Sequence, residues 1–219
     1  MTISRVIFDV DGVIFDTEKI HISGWEIIFG RRGFSFPKEV YESGFGVCDR
    51  EFLLKLKKEG RLPPETEIEI ILEEKVEATL KLIDGGAPFF PSVVETIKQL
   101  SGNLPLACAS NSDSRFVHLL LEKSGLKNCF QLVLTRKEVT APKPSPEIYL
   151  TCARKMKVVP CQCLVIEDSP VGVAAAKSAG MICLAVTHTT PAQKLSAADF
   201  IISQLTVDEI YRVIRRSHG

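Results

Sequence analysis

Two carboxylates two residues apart, Asp9 and Asp11, follow the apolar run Val6-Ile7-Phe8 and precede Gly12. On an extended backbone a period of two places both acids on one side. Gly12 then lets the chain turn sharply and approach a ligand closely. Neither acid can be buried unpaired without large cost, so the pair requires a cation, a shared proton or a substrate. Three further clusters carry related groups: Ser110-Asn111-Ser112 after an apolar run, Lys143-Pro144 in a proline-rich connection, and Glu167-Asp168-Ser169 after Leu164-Val165-Ile166. Carboxylates and hydroxyls without histidine suit a hard cation with oxygen ligands, Mg²⁺ before Zn²⁺. Carboxylates that hold Mg²⁺, with a lysine that neutralises oxygens, are the parts phosphoryl transfer requires, and a carboxylate can itself be the nucleophile. Plainer roles stand beside these. The acids could form a turn, Ser110 could cap a helix, Lys143 could be a solvated loop lysine, and Asp16 and Thr17 could brace a hinge.

The elements that must position these groups are legible as short apolar runs at residues 5–8, 104–109, 132–134, 163–166, 182–186 and 200–202. Several are uninterrupted, which suits strands buried on both faces of a parallel sheet. Helical patterns lie between them at 92–100, 115–123, 146–156, 171–179 and 207–215. Pro146 suits a first helical turn, and Gly180 stands where a helix end prefers glycine. The alternation predicts an α/β, doubly wound, Rossmann-like core with a parallel sheet. Residues 18–82 break it: they read as helix at 19–29, 37–41, 50–58 and 66–82, joined by glycine-containing loops. They are expected to form an inserted helical cap, residues 17–82, between core segments 1–16 and 83–219, with hinges near 16–20 and 83–88. In open α/β sheets ligands bind outside the carboxyl ends of the strands, so the four clusters are expected to converge on one site.

The bulk numbers exclude some function classes. The 219 residues suffice for one sizeable domain with a smaller insertion. Lys+Arg and Asp+Glu are equal at 27 each, so no basic field points to nucleic acid or an anionic membrane as partner. The seven cysteines are odd in number and lack C-x-x-C spacing; they read as reduced thiols used as small apolar residues. No basic leader precedes a short apolar stretch, and no run approaches ~18 apolar residues. A cytoplasmic protein is expected.

Taken in order, Asp9-Val10-Asp11-Gly12-Val13 with Asp16-Thr17, Ser110, Lys143-Pro144, Glu167-Asp168-Ser169 and the stretch from Gly172 to Gly180 resemble the haloacid dehalogenase superfamily. More closely, the chain is similar to the small-cap branch that contains phosphatases and β-phosphoglucomutases, and the resemblance covers essentially its whole length. That resemblance implies roles. Asp9 matches the nucleophile and a Mg²⁺ ligand; Asp11 matches the general acid/base, with its carbonyl on the metal. Ser110 and Lys143 match the groups that hold phosphoryl oxygens, and Asn111 is counted with the substrate-binding set. Asp168 matches the acidic metal ligand, with Glu167 either direct or through water. In the cap, Thr17-x-x-x-His21-x-x-x-Trp25 resembles the hinge region of β-phosphoglucomutases; His21 and Trp25 share one helix face, and all three are counted with the substrate-binding set. Gly46-Val47-x-x-Arg50 resembles the loop that contacts the rest of the substrate, with one residue more than in the mutase pattern. The activity implied is Mg²⁺-dependent hydrolysis of a small phosphomonoester, a sugar phosphate or similar metabolite, through an aspartyl-phosphate. The alternative is a sugar phosphomutase of the β-phosphoglucomutase type. A silent binding module is disfavoured by the intact acids. The expected partner is a small phosphorylated metabolite, and the expected state a monomer or weak homodimer.

Overall fold

A computed structural model describes residues 2–42, 48–86 and 88–217. Strands β1 (Arg5–Phe8), β2 (Leu106–Ala109), β3 (Leu132–Leu134), β4 (Cys163–Glu167), β5 (Ile182–Val186) and β6 (Phe200–Ile202) form one sheet in the order β3-β2-β1-β4-β5-β6. Every pairing is parallel. Strand β2 starts at Leu106, later than expected, because Pro105 has no N–H to give to the ladder.

Alternate residues of each strand enter opposite layers. Val6, Phe8, Leu106, Cys108, Leu164 and Ile166 pack with α5 (Pro91–Leu100), α6 (Ser114–Lys123) and α9 (Val207–Arg216). Ile7, Ala107, Ala109, Val165 and Cys183 pack with α7 (Glu147–Lys155) and α8 (Pro170–Ser178) on the other face. Both faces are covered, which is why the central strands carry unbroken apolar runs, Val6–Phe8, Leu106–Ala109 and Cys163–Ile166, rather than alternating. Asp113 caps α6 by accepting from Arg115 N at 2.9 Å, and Ser169 caps α8 by accepting from Gly172 N at 3.1 Å. All seven cysteines are free.

Between β1 and α5 lie α1 (Glu18–Arg31), α2 (Lys38–Glu42), α3 (Asp49–Lys58) and α4 (Ile68–Leu82). They bury an apolar cluster of their own, built on Trp25, Ile28, Phe29, Phe52, Leu53 and Leu56. Helices α1 and α4 approach closely at Gly24, where a Cβ would press into the Thr79 methyl at 2.7 Å. Helix α4 starts two residues later than expected because the backbone is extended at Glu67 (φ −80°, ψ 98°), after a turn that Thr66 N closes on Pro63 O at 3.0 Å. The two passages that link these helices to the sheet run side by side. Asp16 N donates to Pro88 O and Phe90 N to Ile14 O, each at 3.0 Å. No helix among the described residues is long and apolar enough to cross a membrane.

Trp25 is fully buried and meets Phe29 and Phe52 edge-on. Trp25→Ala is expected to cost about 3–5 kcal/mol of stability, measured as a fall in Tm by calorimetry, with Trp25→Phe costing clearly less.

Candidate active site

The strand order reverses between β1 and β4, the place where an open α/β sheet leaves a crevice at its carboxyl edge. The register pairs Phe8 with Ile166, so Asp9 leaves β1 beside Glu167, the last residue of β4. Asp9 N donates to Ile166 O at 2.9 Å. Gly12 follows with φ +79°, and any Cβ there would collide with Asp168 Oδ2. Only glycine lets the chain turn past that carboxylate.

Asp9, Glu167 and Asp168 are all buried and bring one oxygen each within 4.8 Å of the others. Lys143, only 3% exposed, reaches into them from the proline-rich connection. Its ammonium donates to Asp9 Oδ1, to Glu167 Oε1 at 2.7 Å and to Ala109 O at 2.9 Å, and lies 4.8 Å from the Tyr149 ring centre. Glu167 is fully engaged by protein donors. Its Oε1 also accepts from Tyr149 OH at 2.6 Å, and its Oε2 accepts from Asp168 N at 3.1 Å, Ser169 N at 3.3 Å and Ser169 Oγ at 3.1 Å. A Cβ at Gly172 would overlap this carboxylate. Thr189 donates to Asp168 Oδ2 from the loop after β5.

Asp11 sits across from these acids and is held by four donors. Thr17 Oγ1 at 2.6 Å and His21 Nε2 at 3.1 Å reach its Oδ1; Ser112 Oγ at 2.7 Å and Ser110 Oγ at 3.0 Å reach its Oδ2. Asn111 turns back onto the backbone of Lys143, its Oδ1 accepting from Lys143 N at 3.0 Å. Behind His21 stands Lys75, 2% exposed, with its ammonium 2.6 Å from His21 Nδ1 and 2.7 Å from Asp49 Oδ2. An ammonium only donates, so Nδ1 accepts and the hydrogen on Nε2 goes to Asp11. Asp49 Oδ1 in turn accepts from Trp25 Nε1 at 3.3 Å.

Charge follows from this geometry. Burial pushes the Asp168 carboxyl up to about 8, with Glu167 adding to it and Thr189 and Lys143 opposing. Burial also pushes Asp9 well above the carboxylate range; Lys143 opposes, but Glu167, Asp168 and Asp11 reinforce it. Lys143 is driven down by burial yet held protonated, above an ordinary lysine, by Asp9 and Glu167. Asp11 goes the other way. Burial would raise it, but the hydrogen bonds from His21, Thr17 and Ser112 win and hold it well below the usual range. One lysine among four carboxylates leaves net negative charge in a low-dielectric crevice. The donor set, all hard oxygens, fits a small divalent cation between Asp9 and Asp168.

A solvent-open cavity rises from Asp9, Asp11, Lys143 and Asp168 to Thr17, His21 and Asn111, and ends on the helical segment. Two expected substrate contacts lie elsewhere. Trp25 is sealed in the packing of α1 and α3, and Arg50 is on the outer surface, paired with Glu69. One extra residue before Arg50 turns Asp49 into the cavity instead, and the next position on that first helical turn faces out. Gly46 lies outside the described residues. Ser110 caps no helix, since Asp113 fills that role. Sequence reasoning placed Ser112 in one of the converging clusters without giving it a role, and missed Thr189, Tyr149, Lys75 and Asp49. Thr189 follows the carboxyl end of β5, so the strand-end rule that found the other clusters also reaches it. Lys75 gives no such signal, because Glu73-Glu74-Lys75 reads as a solvated helix face.

Residues 6–186 match a family model described as haloacid dehalogenase-like hydrolase. The chain is 31% identical over 179 residues to fructose-1-phosphate phosphatase YqaB of Escherichia coli (strain K12), covering 80% of this chain and 92% of that protein. Its structure is similar to β-phosphoglucomutase from Clostridium difficile, with a TM-score of 0.85 and 26% identity over 99% of this chain and 97% of that one. It is also similar to CbbY from Rhodobacter sphaeroides in complex with xylulose-(1,5)bisphosphate, with a TM-score of 0.82 and 25% identity over 92% and 94% of the two chains.

The raised carboxyls set a pH dependence. Unfolded, Asp9 and Asp168 ionise near pH ~4; folded, Asp168 does so only at about 8. Between these values the folded protein holds more protons, so stability falls as pH rises through the window. Asp11, held low, acts oppositely: its stabilisation is complete above ~4 and is lost only in acid below it. Tm followed from about pH 5 to 8 with a chelator is therefore expected to decline, and Mg²⁺ to flatten the decline. A Tm that rises across that range in chelator contradicts the charge assignment.

Proposed function

The chain belongs to the haloacid dehalogenase-like hydrolases, and from that premise we propose that it is a Mg²⁺-dependent phosphatase of small phosphomonoesters, sugar phosphates or similar metabolites. The observation that carries this reading is the buried set Asp9, Glu167, Asp168 and Lys143 on the floor of a cavity. Asp9 and Asp168, with the carbonyl of Asp11, would hold Mg²⁺, which when bound neutralises the charge of the phosphoryl oxygens. Lys143, Ser110 and the backbone that Asn111 braces would hold those oxygens in place.

Asp9 attacks phosphorus: the bond from its carboxylate oxygen to phosphorus forms as the bond to the leaving oxygen breaks. Asp11 gives that oxygen its proton. Water then attacks the aspartyl-phosphate, loses a proton to Asp11 and frees Asp9 as phosphate departs. Glu167 touches no substrate in this scheme; it positions Lys143. The four donors on Asp11 favour its ionised form, the form that activates water. To carry a proton it must shed Thr17 and His21 from Oδ1. Thr17 immediately precedes α1, and His21 lies in its first turns. Residues 17–82 acting as a cap on core segments 1–16 and 83–219 would thus couple closure to the protonation of Asp11. The free cysteines suit a cytoplasmic enzyme, acting as a monomer or weak homodimer. A sugar phosphomutase is the second reading. The Thr17–His21 hinge pair favours it, and the outward pairing of Arg50 with Glu69 weakens it.

Phosphate release from a panel of sugar phosphates tests the reading. With Mg²⁺ present, Asp9→Asn is expected to lower kcat by about 10³-fold or more, and chelation to abolish turnover. Isomer formation without release of inorganic phosphate would establish the mutase instead.

A further inference from the structure

Away from the phosphoryl end, the cavity closes on Glu18, Tyr41, Cys48 and Asp49. Among the described lining residues the basic side chains are His21 and Lys143, and both stand at the phosphoryl end. Lys143 is bracketed by Asp9 and Glu167, and His21 is bonded to Asp11. Lys75 lies just behind the wall at 2% exposure, its ammonium committed to Asp49 and His21. Arg50 is turned to the surface. Among the described lining residues, the end of the cavity that receives the leaving group carries two carboxylates, Glu18 and Asp49, and no basic side chain, with Lys75 offsetting Asp49 from behind the wall and the Arg136 guanidinium acting on Cys48 from outside the lining. Burial, followed by Asp49, Asp11 and Glu18, pushes the Tyr41 phenol well above its ordinary range.

From this distribution we infer that Asp49 is a specificity-determining residue for the leaving group. The site takes phosphomonoesters whose leaving group is an uncharged polyol, and turns away those bearing a second anionic group, a carboxylate or another phosphate. This rests on the phosphatase reading of the same cavity. Hydroxyls can donate to the carboxylates of Asp49 and Glu18. A second phosphate would bring about −1.5 to −2 charge against them, in a partly enclosed space where salt screens less than at an open surface. Asp49 acts in two ways: it contributes its own charge, and it holds the ammonium of Lys75 away from substrate. The same field works against mutase turnover. Returning a phosphoryl group from Asp9 to a sugar monophosphate creates a sugar with two phosphates, one of which must occupy the acidic end.

Matched probes test this: 4-carbamoylphenyl phosphate against 4-carboxyphenyl phosphate, and glucose 6-phosphate against 6-phosphogluconate. Two readouts are taken, kcat/KM with Mg²⁺ and Kd for the Asp9→Asn protein by calorimetry. The uncharged member is expected to be favoured about tenfold in both, a ratio worth about 1.4 kcal/mol, and the ratio to shrink as salt rises. Asp49→Asn and, independently, Glu18→Gln are expected to reduce it to about threefold or less; should Asp49→Asn fail to fold, Glu18→Gln decides. Equal or tighter binding of the anionic members, no binding of the uncharged ones, or an unchanged ratio in the folded variants overturns the inference. If no probe is turned over, the phosphatase reading fails, and the Kd ratios still judge the charge selection.

Discussion

The ammonium of Lys143 is the constraint around which the site is arranged. Four carboxylates gather at the carboxyl ends of β1 and β4, and buried like charges cannot stay close without compensation. Lys143 supplies one positive charge between Asp9 and Glu167, steadied by the carbonyl of Ala109 and the face of Tyr149. Removing one partner of such a buried pair costs about 3–5 kcal/mol, because the other is left uncompensated. That explains why Glu167 is tied so thoroughly to Ser169, to two backbone N–H groups and to Tyr149. It cannot drift, so Lys143 cannot drift, and Asp9 stays presented at the crevice.

A second polar chain runs from the interior of the helical segment down to Asp11: Trp25, Asp49, Lys75, His21, Asp11. Each link constrains the next, down to the tautomer of His21. The outer contact between α4 and α6, Arg115 on Glu73 with bonds of 2.6 and 2.7 Å, is exposed and is worth little by comparison. The buried chain is thus what gives Asp11 a sense of where α1 stands.

The sheet was legible because its central strands are buried on both faces and so appear as unbroken apolar runs. Phe8, Ala109 and Ile166 each end such a run just before a polar cluster, which located Asp9, Ser110 and Glu167. Asp49, Lys75 and Tyr149 were not legible. Lys75 becomes buried only because Gly24 lets α4 settle against α1. Tyr149 reads as one more core aromatic until its hydroxyl is seen on Glu167. Arg50 misled because a single added residue rotates a helical first turn by roughly 100° and exchanges which neighbour faces inward.

The adjoining passages at Ile14–Asp16 and Pro88–Phe90 carry a consequence for how such a protein can diversify. Everything between them leaves and rejoins the sheet at a point no wider than a hairpin. The strands therefore register with one another regardless of what is carried above, and a different assembly of helices could be grafted there without disturbing the sheet below. What is carried above can then be exchanged while the sheet and the acids at its edge keep their places.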